Sequence, residues 1–293
     1  MDGDKVIGIM AGWGDFPVEL ARALKRQGYV VHCQGIKDHA PAELARICDS
    51  FRYVGIAKLG SQIRYFRRRH VRYATMAGKI FKARLMYHRW GWFHHFPDWE
   101  CWRTFYPHFI TKTKDRKDDT LLGAVVDLFA RHEIMFAPAT DFAPELLVNS
   151  GTLCGADPTP SQWKDIQFGW EIAKEMGRLD IGQTVVVKGL STVAVEAVEG
   201  TDQCIERAGT LCPQGGFTVV KVAKPRQDMR FDVPTIGIGT LQTIVRAGGS
   251  VLAVEANKTI IVDRQNFERF ARQHRLTVIA VDAHQWNRQE RAA

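Results

Sequence analysis

The residues best suited to chemistry fall within one segment of the chain, residues 221–240. Four cations in this segment precede Asp232, and a Gly-x-Gly-Thr turn at 237–240 then opens a predicted helix. Cations and a helix N-terminus can hold a diphosphate, and a carboxylate oxygen is the hard ligand that Mg²⁺ prefers. On composition alone, an ordinary solvated loop is the more common explanation of such a segment. The four cations are Lys221, Lys224, Arg226 and Arg230.

A second candidate lies near the N-terminus, where Gly12 and Gly14 follow a short apolar run and precede a stretch with helical spacing. Glycines in a strand-to-helix turn let backbone N–H groups face a phosphate at the start of the helix. The third glycine of a G-x-G-x-x-G pattern is missing, since Pro17 occupies its position. Phosphate contact and a plain tight turn therefore both remain open for this motif.

Other polar groups have more ordinary explanations. At a predicted strand end, capping of the next helix by Thr201 or Asp202 is the usual role, and support of a metal ligand by Glu199 or Asp202 is a rarer one. Four histidines lie close together but lack the H-E-x-x-H spacing of a zinc site. No P-loop and no G-x-S-x-G motif occurs. The histidines are His88, His94, His95 and His108.

The N-terminal half alternates apolar runs with helical spacing, which predicts a parallel sheet covered by helices. The fold class expected is therefore α/β, with a Rossmann-like parallel-sheet domain in this half. The predicted strands are Lys5–Met10, Tyr29–Cys33 and Phe51–Ile56, and the predicted helices are Phe16–Arg26 and Ala42–Cys48.

The C-terminal half is predicted to form a mixed α/β domain. Its first helix has a candidate cap at Ser161, and Gly177 can end that helix. Residues 141–160 are rich in Pro, Gly, Ser and Asp, so we place domains at 1–150 and 151–293, the second being catalytic. The later strands are predicted at Gln183–Val187, Val193–Ala197, Phe217–Val222, Val251–Val254 and Leu276–Val281, and the later helices at Asp202–Ala208, Leu241–Ala247 and Arg264–His274.

Charge is distributed unevenly along a chain whose formal net charge is +8. No Asp or Glu occurs between Ser50 and Pro97, and an aromatic and histidine-rich stretch follows at 90–109. A basic surface attracts phosphates, nucleic acid or an anionic bilayer. Aromatic rings interleaved with cations suit a lipid headgroup interface, because amphipathic rings settle at the boundary between apolar and polar regions.

Cellular location can be inferred from the cysteines and from the hydropathy of the chain. The six cysteines contain no C-x-x-C pair, which favours reduced thiols in a cytosolic protein. The first residues lack the basic region of a signal peptide, and no apolar run approaches the roughly 20 residues that span a bilayer. We therefore expect a cytoplasmic protein that can lie against a membrane without crossing it.

Several phrases of the C-terminal half resemble the family of UDP-2,3-diacylglucosamine pyrophosphatases that are not calcineurin-like phosphoesterases. The N-terminal likeness is thinner and rests on Gly12-x-Gly14 followed by Pro17. The C-terminal phrases are Glu171–Ala173, Gly177–Gln183, Val195–Ala197, Glu199–Asp202, Lys221–Pro225 with Asp228, and the longest, Arg230–Gly237.

This resemblance implies a two-domain enzyme of lipid A biosynthesis at the cytoplasmic face of the inner membrane. Such an enzyme hydrolyses UDP-2,3-diacylglucosamine to UMP and 2,3-diacylglucosamine 1-phosphate with the aid of Mg²⁺. The family's essential aspartate carries over to Asp232, as catalytic residue and metal ligand, with Val233 in place of leucine. The resemblance leaves a homodimer open. Substrate contacts are expected at Gly12, Gly14, Lys221, Lys224, Arg226, Thr235 and Gly237.

Two alternatives have their own discriminating features. A nucleotide-cofactor oxidoreductase would use the N-terminal turn, but the third glycine is missing and the nearest acid after the second strand is Asp38. A nucleic-acid-binding module would use the cations of 64–89, and a steep salt-dependent gel shift without hydrolysis would identify it. The family resemblance favours neither, so no nucleic-acid partner is expected.

Overall fold

The protein is described here by a computed structural model covering residues 5–80, 96–109, 118–225, 227–231 and 233–282. The chain forms two compact units. The N-terminal unit contains Met1–Pro144 and Asp228–Phe231, and the C-terminal unit contains Glu145–Gln227 and Asp232–Ala293. Arg226, Asp232 and three of the four clustered histidines (His88, His94 and His95) lie outside the described residues.

The N-terminal unit is built on a five-stranded sheet in the order β3-β2-β1-β4-β5. Every pair in it is parallel, which is the arrangement of a Rossmann-type fold. The strands predicted from apolar runs are confirmed, with ends shifted by a few residues. The strands are β1 (Val6–Ala11), β2 (Val30–Ile36), β3 (Ser50–Val54), β4 (Tyr73–Ala77) and β5 (Met135–Phe136).

Helix α1 shows how sequence determines the elements of this unit. Phe16, Leu20 and Leu24 recur at helical spacing and are buried, while Pro17 suits the first turn. The predicted helix Ala42–Cys48 is shorter, at Leu44–Ile47. The helices are α1 (Phe16–Arg26), α2 (Leu44–Ile47), α3 (Leu59–Arg67), α4 (Trp99–Phe109), α5 (Asp118–Ala130) and α6 (Ala139–Phe142), and a 3-10 turn follows at Pro144–Leu146.

The core of the N-terminal unit lies where α3 and α5 pack on one face of the sheet. Phe66 and Phe129 are fully buried there, with ring centroids 6.4 Å apart. Phe231, from the short segment Asp228–Phe231, packs against the same cluster. A piece of the chain that lies only a few residues before Pro234 therefore belongs to the core of the N-terminal unit.

The C-terminal unit has a six-stranded mixed sheet in the order β6-β13-β11-β9-β7-β8. Strands β9, β11 and β13 are parallel, and the outer strands β6, β7 and β8 run antiparallel to their neighbours. Two short strands, β10 and β12, pair separately. The strands are β6 (Gly151–Cys154), β7 (Thr184–Lys188), β8 (Ser191–Val195), β9 (Thr218–Lys221), β10 (Thr235–Ile236), β11 (Val251–Glu255), β12 (Ile260–Ile261) and β13 (Thr277–Val281).

Helices cover both faces of this sheet, which explains why its central strands are continuously apolar. Phe217 and Phe267 are fully buried in the cluster on one face, and Ile166 and Trp170 pack in the cluster on the other. The α/β fold class predicted for both halves is thus confirmed. The helices are α7 (Pro160–Arg178), α8 (Thr201–Leu211), α9 (Ile238–Ala247) and α10 (Arg264–Gln273).

The predicted cap of the first C-terminal helix was wrong. Thr159, not Ser161, caps α7, and it forms a reciprocal capping box with Gln162 while Pro160 occupies the first helical position. Gly177 does not end the helix, which continues to Arg178. A Cβ on Gly177 would lie 3.1 Å from the Cα of Lys224, so a close approach between helix and loop is the reason for glycine there.

Candidate functional site

The two glycine turns of the N-terminal unit meet at the topological switch point of its sheet. In the order β3-β2-β1-β4-β5 the chain moves outward to one side from β1 and to the other side from β4. Ligands of open α/β sheets bind in the crevice beyond the carboxyl ends of two such strands. Gly12–Gly14 follow β1 and Gly78–Lys79 follow β4, so both turns border this crevice.

Backbone hydrogen bonds tie the two turns together. The Gly12 N–H donates to the Ala77 carbonyl at 2.7 Å, while Trp13 and Lys79 exchange N–H···O bonds of 2.8 and 2.9 Å. A Cβ on Gly12 would stand 2.7 Å from the Lys79 carbonyl oxygen. Gly78 has φ +92°, and its Cβ would stand 2.8 Å from the Gly12 carbonyl carbon. Close approach therefore requires glycine on both turns.

Gly14 differs from Gly12, because the space around it is open. Its φ is +104°, and a Cβ there would have no neighbour within 4 Å. Helix α1 begins just beyond it, with the exposed Asp15 at the N-cap making no side-chain capping bond. The helix N-terminus favours an anion and the carboxylate disfavours one. The turn by itself therefore does not select a phosphate.

Three lysines follow successive strands at this carboxyl edge, and we call Lys37, Lys58 and Lys79 the edge lysines. They stand one to four residues beyond β2, β3 and β4 and are partly or fully exposed. Within the described ranges none of the three forms an ion pair. This set was not predicted from the sequence. Lys37 and Lys58 follow strands that apolar runs predict, and parallel strands end at the same edge, but β4, which precedes Lys79, was not predicted.

In the C-terminal unit, Lys221 is the last residue of β9 and is buried. Its Nζ donates to Thr201 Oγ1 at 3.0 Å, and Thr201 Oγ1 donates to Glu196 Oε1 at 3.0 Å. Glu196 is only 8% exposed and follows β8. The predicted contact Lys221 is therefore one end of a buried polar chain, which holds its ammonium group at the carboxyl edge of the sheet.

A second buried polar group lies at the end of β11, the strand that neighbours β9 in the sheet. Glu255 is 4% exposed. Its Oε2 accepts from Lys174 Nζ at 2.5 Å and from the Ala223 N–H at 2.8 Å, while Lys258 Nζ lies 3.0 Å from Oε1. Burial lowers the pKa of the Lys174 ammonium, although the Glu255 carboxylate acts in the opposite direction. Glu255 thus anchors the loop that leaves β9.

That loop carries the remaining cations of the predicted segment. Lys224 Nζ donates to Asp180 Oδ1 at 2.6 Å. In the N-terminal unit, Arg230 donates to both carboxylate oxygens of Asp228, from Nε to Oδ1 and from Nη2 to Oδ2 at 2.6 Å. This hydrogen bonding lowers the pKa of the Asp228 carboxyl. Arg230 and Lys224 are therefore each paired with a carboxylate, Arg230 with Asp228 and Lys224 with Asp180.

Thr235 and Gly237 lead into helix α9. The Thr235 hydroxyl donates to the Val233 carbonyl at 2.9 Å, and Gly237 is the N-cap of a helix that receives no side-chain cap. A Cβ on Gly237 would meet open space. The helix starts at Ile238 rather than at the predicted Leu241, so three residues of the Gly-x-Gly-Thr turn are already helical. The first N–H groups of α9 can accept an anion.

The structure thus places Gly12 and Gly14 in one unit and Lys221, Lys224, Thr235 and Gly237 in the other. Sequence reasoning missed Glu196 and Glu255. Polar residues directly after buried apolar strands were the available signal. The predicted capping role of Thr201 or Asp202 was wrong, because Gly200 is the N-cap of α8 and no side chain caps that helix. Within the described part of the chain, no group of three or more His, Cys, Asp or Glu residues could hold a metal ion. No helix in the described ranges is long and apolar enough to cross a bilayer.

Fold and polar edges together define a two-unit α/β protein with polar side chains beyond the carboxyl ends of its parallel strands, which is where open α/β sheets bind their ligands. The chain matches the LpxI N-terminal domain over residues 6–146 and the LpxI C-terminal domain over residues 149–279. It therefore belongs to the LpxI family, and the family resemblance predicted from the sequence is confirmed.

A curated relative supports the same assignment. The UDP-2,3-diacylglucosamine pyrophosphatase LpxI of Caulobacter vibrioides is 30% identical over 286 residues, which cover 94% of this chain and 97% of that protein. Among solved structures, a biotin carboxylase complex from Campylobacter jejuni matches at 12% identity with a TM-score of 0.27. That match covers 72% of this chain and 42% of the carboxylase.

Proposed function

We propose that this protein hydrolyses the pyrophosphate bond of UDP-2,3-diacylglucosamine, releasing UMP and 2,3-diacylglucosamine 1-phosphate in lipid A biosynthesis. The observation that carries the proposal is the full-length relationship to a protein named for that activity, at 30% identity over 94% of the chain. Both family domains are present in order, so neither half of the relative's architecture is lacking. The protein is thus a hydrolase acting on a phosphoric anhydride.

In this proposal Asp232 is the catalytic carboxylate and the ligand of Mg²⁺. The donor chemistry fits, because Mg²⁺ in phosphate-handling sites takes one or two carboxylates and fills its remaining positions with phosphate oxygens and water. Glu196 accepts a hydrogen bond from the Thr201 hydroxyl, and Glu255 pairs with the Lys174 ammonium. When bound, the metal would neutralise the diphosphate and polarise the bond that water breaks.

The protein's own groups would position the diphosphate. Lys221 is held rigidly by Thr201, so its ammonium needs no reordering when an anion arrives. Lys224 and Arg226 add positive charge along the same loop, and Thr235 and Gly237 precede the uncapped N-terminus of α9. Water would then attack in line with the leaving phosphate, a reaction in which positioning and charge supply most of the catalysis.

The switch-point crevice of the N-terminal unit would take the nucleotide. Gly12 and Gly14 border it, because Gly12 packs closely against Gly78 and no side-chain atom occupies the open space beside Gly14. The edge lysines supply cations that no carboxylate of the described residues neutralises. Because the substrate carries acyl chains, the enzyme would work against the anionic cytoplasmic surface of the inner membrane, as a peripheral protein.

One assay tests this function directly. Purified protein is incubated with UDP-2,3-diacylglucosamine in detergent, with and without Mg²⁺, and UMP is followed by chromatography and the lipid product by mass. We expect both products, greater rates with Mg²⁺, and loss of turnover in Asp232→Asn with an unchanged melting temperature. Absence of UMP would refute the function, whereas wild-type rates in Asp232→Asn would refute only the assigned role of that residue.

A further inference from the structure

Helix α4 carries an aromatic stripe on its outer face. Trp99, Trp102 and Tyr106 are spaced i, i+3 and i+7, so they share one face, and their exposed fractions are 69%, 49% and 38%. The Trp99 and Trp102 rings stack with centroids 5.6 Å apart, and the Trp102 and Tyr106 centroids lie 4.9 Å apart. We call these three residues the aromatic stripe. Phe96, just before the helix, is 52% exposed as well.

The opposite face of α4 already supplies what the core needs. Cys101 is buried and Phe105 packs with it against the cluster of Phe66 and Phe129. The aromatic stripe is therefore not required to complete the core of the unit. A contiguous exposed apolar patch on a folded protein marks an interaction surface. Trp and Tyr in particular combine an apolar body with a polar atom, and they concentrate where one side of a surface is apolar and the other is wet.

Helix α3 lies beside α4 and is strongly basic. Between Leu59 and Arg72 there are five arginines and no carboxylate. Four of them are exposed, and three of these, Arg64, Arg67 and Arg68, share one face by their i, i+3 and i+4 spacing. We call these three the arginine face of α3.

One carboxylate joins the starts of α3 and α4. The Asp98 side chain accepts from the Ser61 N–H and from the Cys101 N–H, each at 3.1 Å. The two helices also share one apolar cluster, to which α3 contributes Ile63 and α4 contributes Cys101. The aromatic stripe and the arginine face thus belong to adjacent helices of one packed unit.

We propose that the aromatic stripe and the arginine face form a docking surface for an anionic lipid bilayer. Rings at headgroup depth and guanidinium groups on lipid phosphates are the two components of interfacial binding. The proposal deepens the proposed function and rests on it in one respect, because that function gives the enzyme a lipid substrate. A second copy of the chain fits less well, since two arginine faces would repel. Nucleic acid also fits less well, because Trp99 and Trp102 already stack on each other.

Vesicle sedimentation tests the surface without reference to catalysis. The full chain is mixed with vesicles of phosphatidylethanolamine and phosphatidylglycerol, or of phosphatidylcholine alone, at low and high salt. We expect binding to the anionic vesicles that weakens as salt rises. Trp99→Ala with Trp102→Ala should lower the partition coefficient by at least about tenfold. Replacing the arginine face with alanine should lower it roughly fivefold per residue, on the order of a hundredfold in total.

Matched controls exist in the same chain. Tyr53 is exposed on β3 and serves as the control for an aromatic substitution. Arg264, Arg269 and Arg272 are exposed on one helix of the C-terminal unit and serve as the control for three lost charges. Tyr53→Ala and the triple alanine variant of α10 should bind vesicles within about twofold of wild type. If these controls lose as much binding as the α3 and α4 variants, general charge or hydrophobicity explains the result and the proposal is overturned.

A second readout separates docking from hydrolysis. The aromatic-stripe variant should cleave substrate in nonionic detergent at the wild-type rate and lose activity when the same substrate is embedded in anionic vesicles. If wild-type protein cleaves neither form, the proposed function fails while the sedimentation result still judges docking. Unaltered vesicle binding by the variant would overturn the proposal. The proposal would also be overturned if the protein failed to bind vesicles but self-associated, as measured by light scattering, or bound duplex nucleic acid, as measured by gel shift, in a way that depends on the aromatic stripe.

Discussion

Replacing Glu255 with glutamine should destabilise the C-terminal unit by about 2–3 kcal/mol. The Glu255 side chain is 5% exposed and its carboxylate accepts from Lys174 and Ala223, so the isosteric change removes the charge but keeps the shape. Breaking a buried ion pair from one side costs about 3–5 kcal/mol, because the other charge remains buried. Lys174 is 23% exposed and keeps the Ala223 carbonyl as an acceptor at 3.0 Å, which reduces the cost.

The measurement is urea and thermal unfolding, followed by circular dichroism. A loss of 2–3 kcal/mol corresponds to a melting temperature lower by about 5–10 °C in a protein of this size. Glu268→Gln is the matched control, since Glu268 also meets two cations, Arg264 and Arg272, which are more than half exposed. Exposed ion pairs contribute about 0–1 kcal/mol to the free energy of unfolding, so Glu268→Gln should lose no more than that.

A double variant, Glu255→Leu with Lys174→Met, is the second test. Removing both charges avoids the free-energy cost of leaving one buried charge without its partner. The double variant should be clearly more stable than Glu255→Gln. If Glu255→Gln and Glu268→Gln lose the same small amount of stability, then the Glu255 site does not anchor the loop and the reasoning is wrong.

Three further predictions concern residues of the N-terminal unit. Gly78→Ala should destabilise the N-terminal unit by roughly 2 kcal/mol or more, because its φ is +92° and its Cβ would meet Gly12 at 2.8 Å; thermal unfolding measures this. Replacing the edge lysines singly with alanine should raise KM with little change in melting temperature, and unchanged kinetics would exclude them from substrate binding. Asp228 has a lowered pKa through Arg230, so it stabilises the fold above its unfolded pKa and that contribution disappears as pH falls through the lower, folded value. Asp228→Asn should therefore flatten the acid side of the stability curve measured by urea unfolding.

Local signals sufficed for part of this fold. Strand β1, the glycine turn and α1 are contiguous, and burial of Phe16, Leu20 and Leu24 follows from their spacing alone. Strand β4 was not predicted, because its apolar residues are few and Tyr73 is half exposed at its start. Strand β5 has only two residues, which is too short for any periodicity to develop. Such strands exist because neighbouring strands are present, which a local pattern does not record.

The site was predictable to a similar extent. Lys221 and Gly237 were predicted from the residue types around Asp232. Glu255 was not, because in the sequence it is only an acidic residue at the end of an apolar strand, and its partner Lys174 lies on a helix distant in sequence. The placement of Phe231 in the N-terminal core has no sequence signal at all, because a single aromatic residue in a polar loop has no characteristic spacing.

The polar edges of the two units differ in the exposure and in the charge compensation of their cations. In the C-terminal unit, Lys174 is matched by the buried Glu255, and Lys221 is held through Thr201 to Glu196, so its cations are fixed and largely compensated. In the N-terminal unit, the edge lysines are partly or fully exposed and, within the described ranges, form no ion pair. Exposed cations without a paired carboxylate attract anionic ligands at long range. Cations that are fixed in place by hydrogen bonds orient a bound anion. We therefore expect edge-lysine substitutions to act on substrate capture, whereas Thr201→Val should act on turnover.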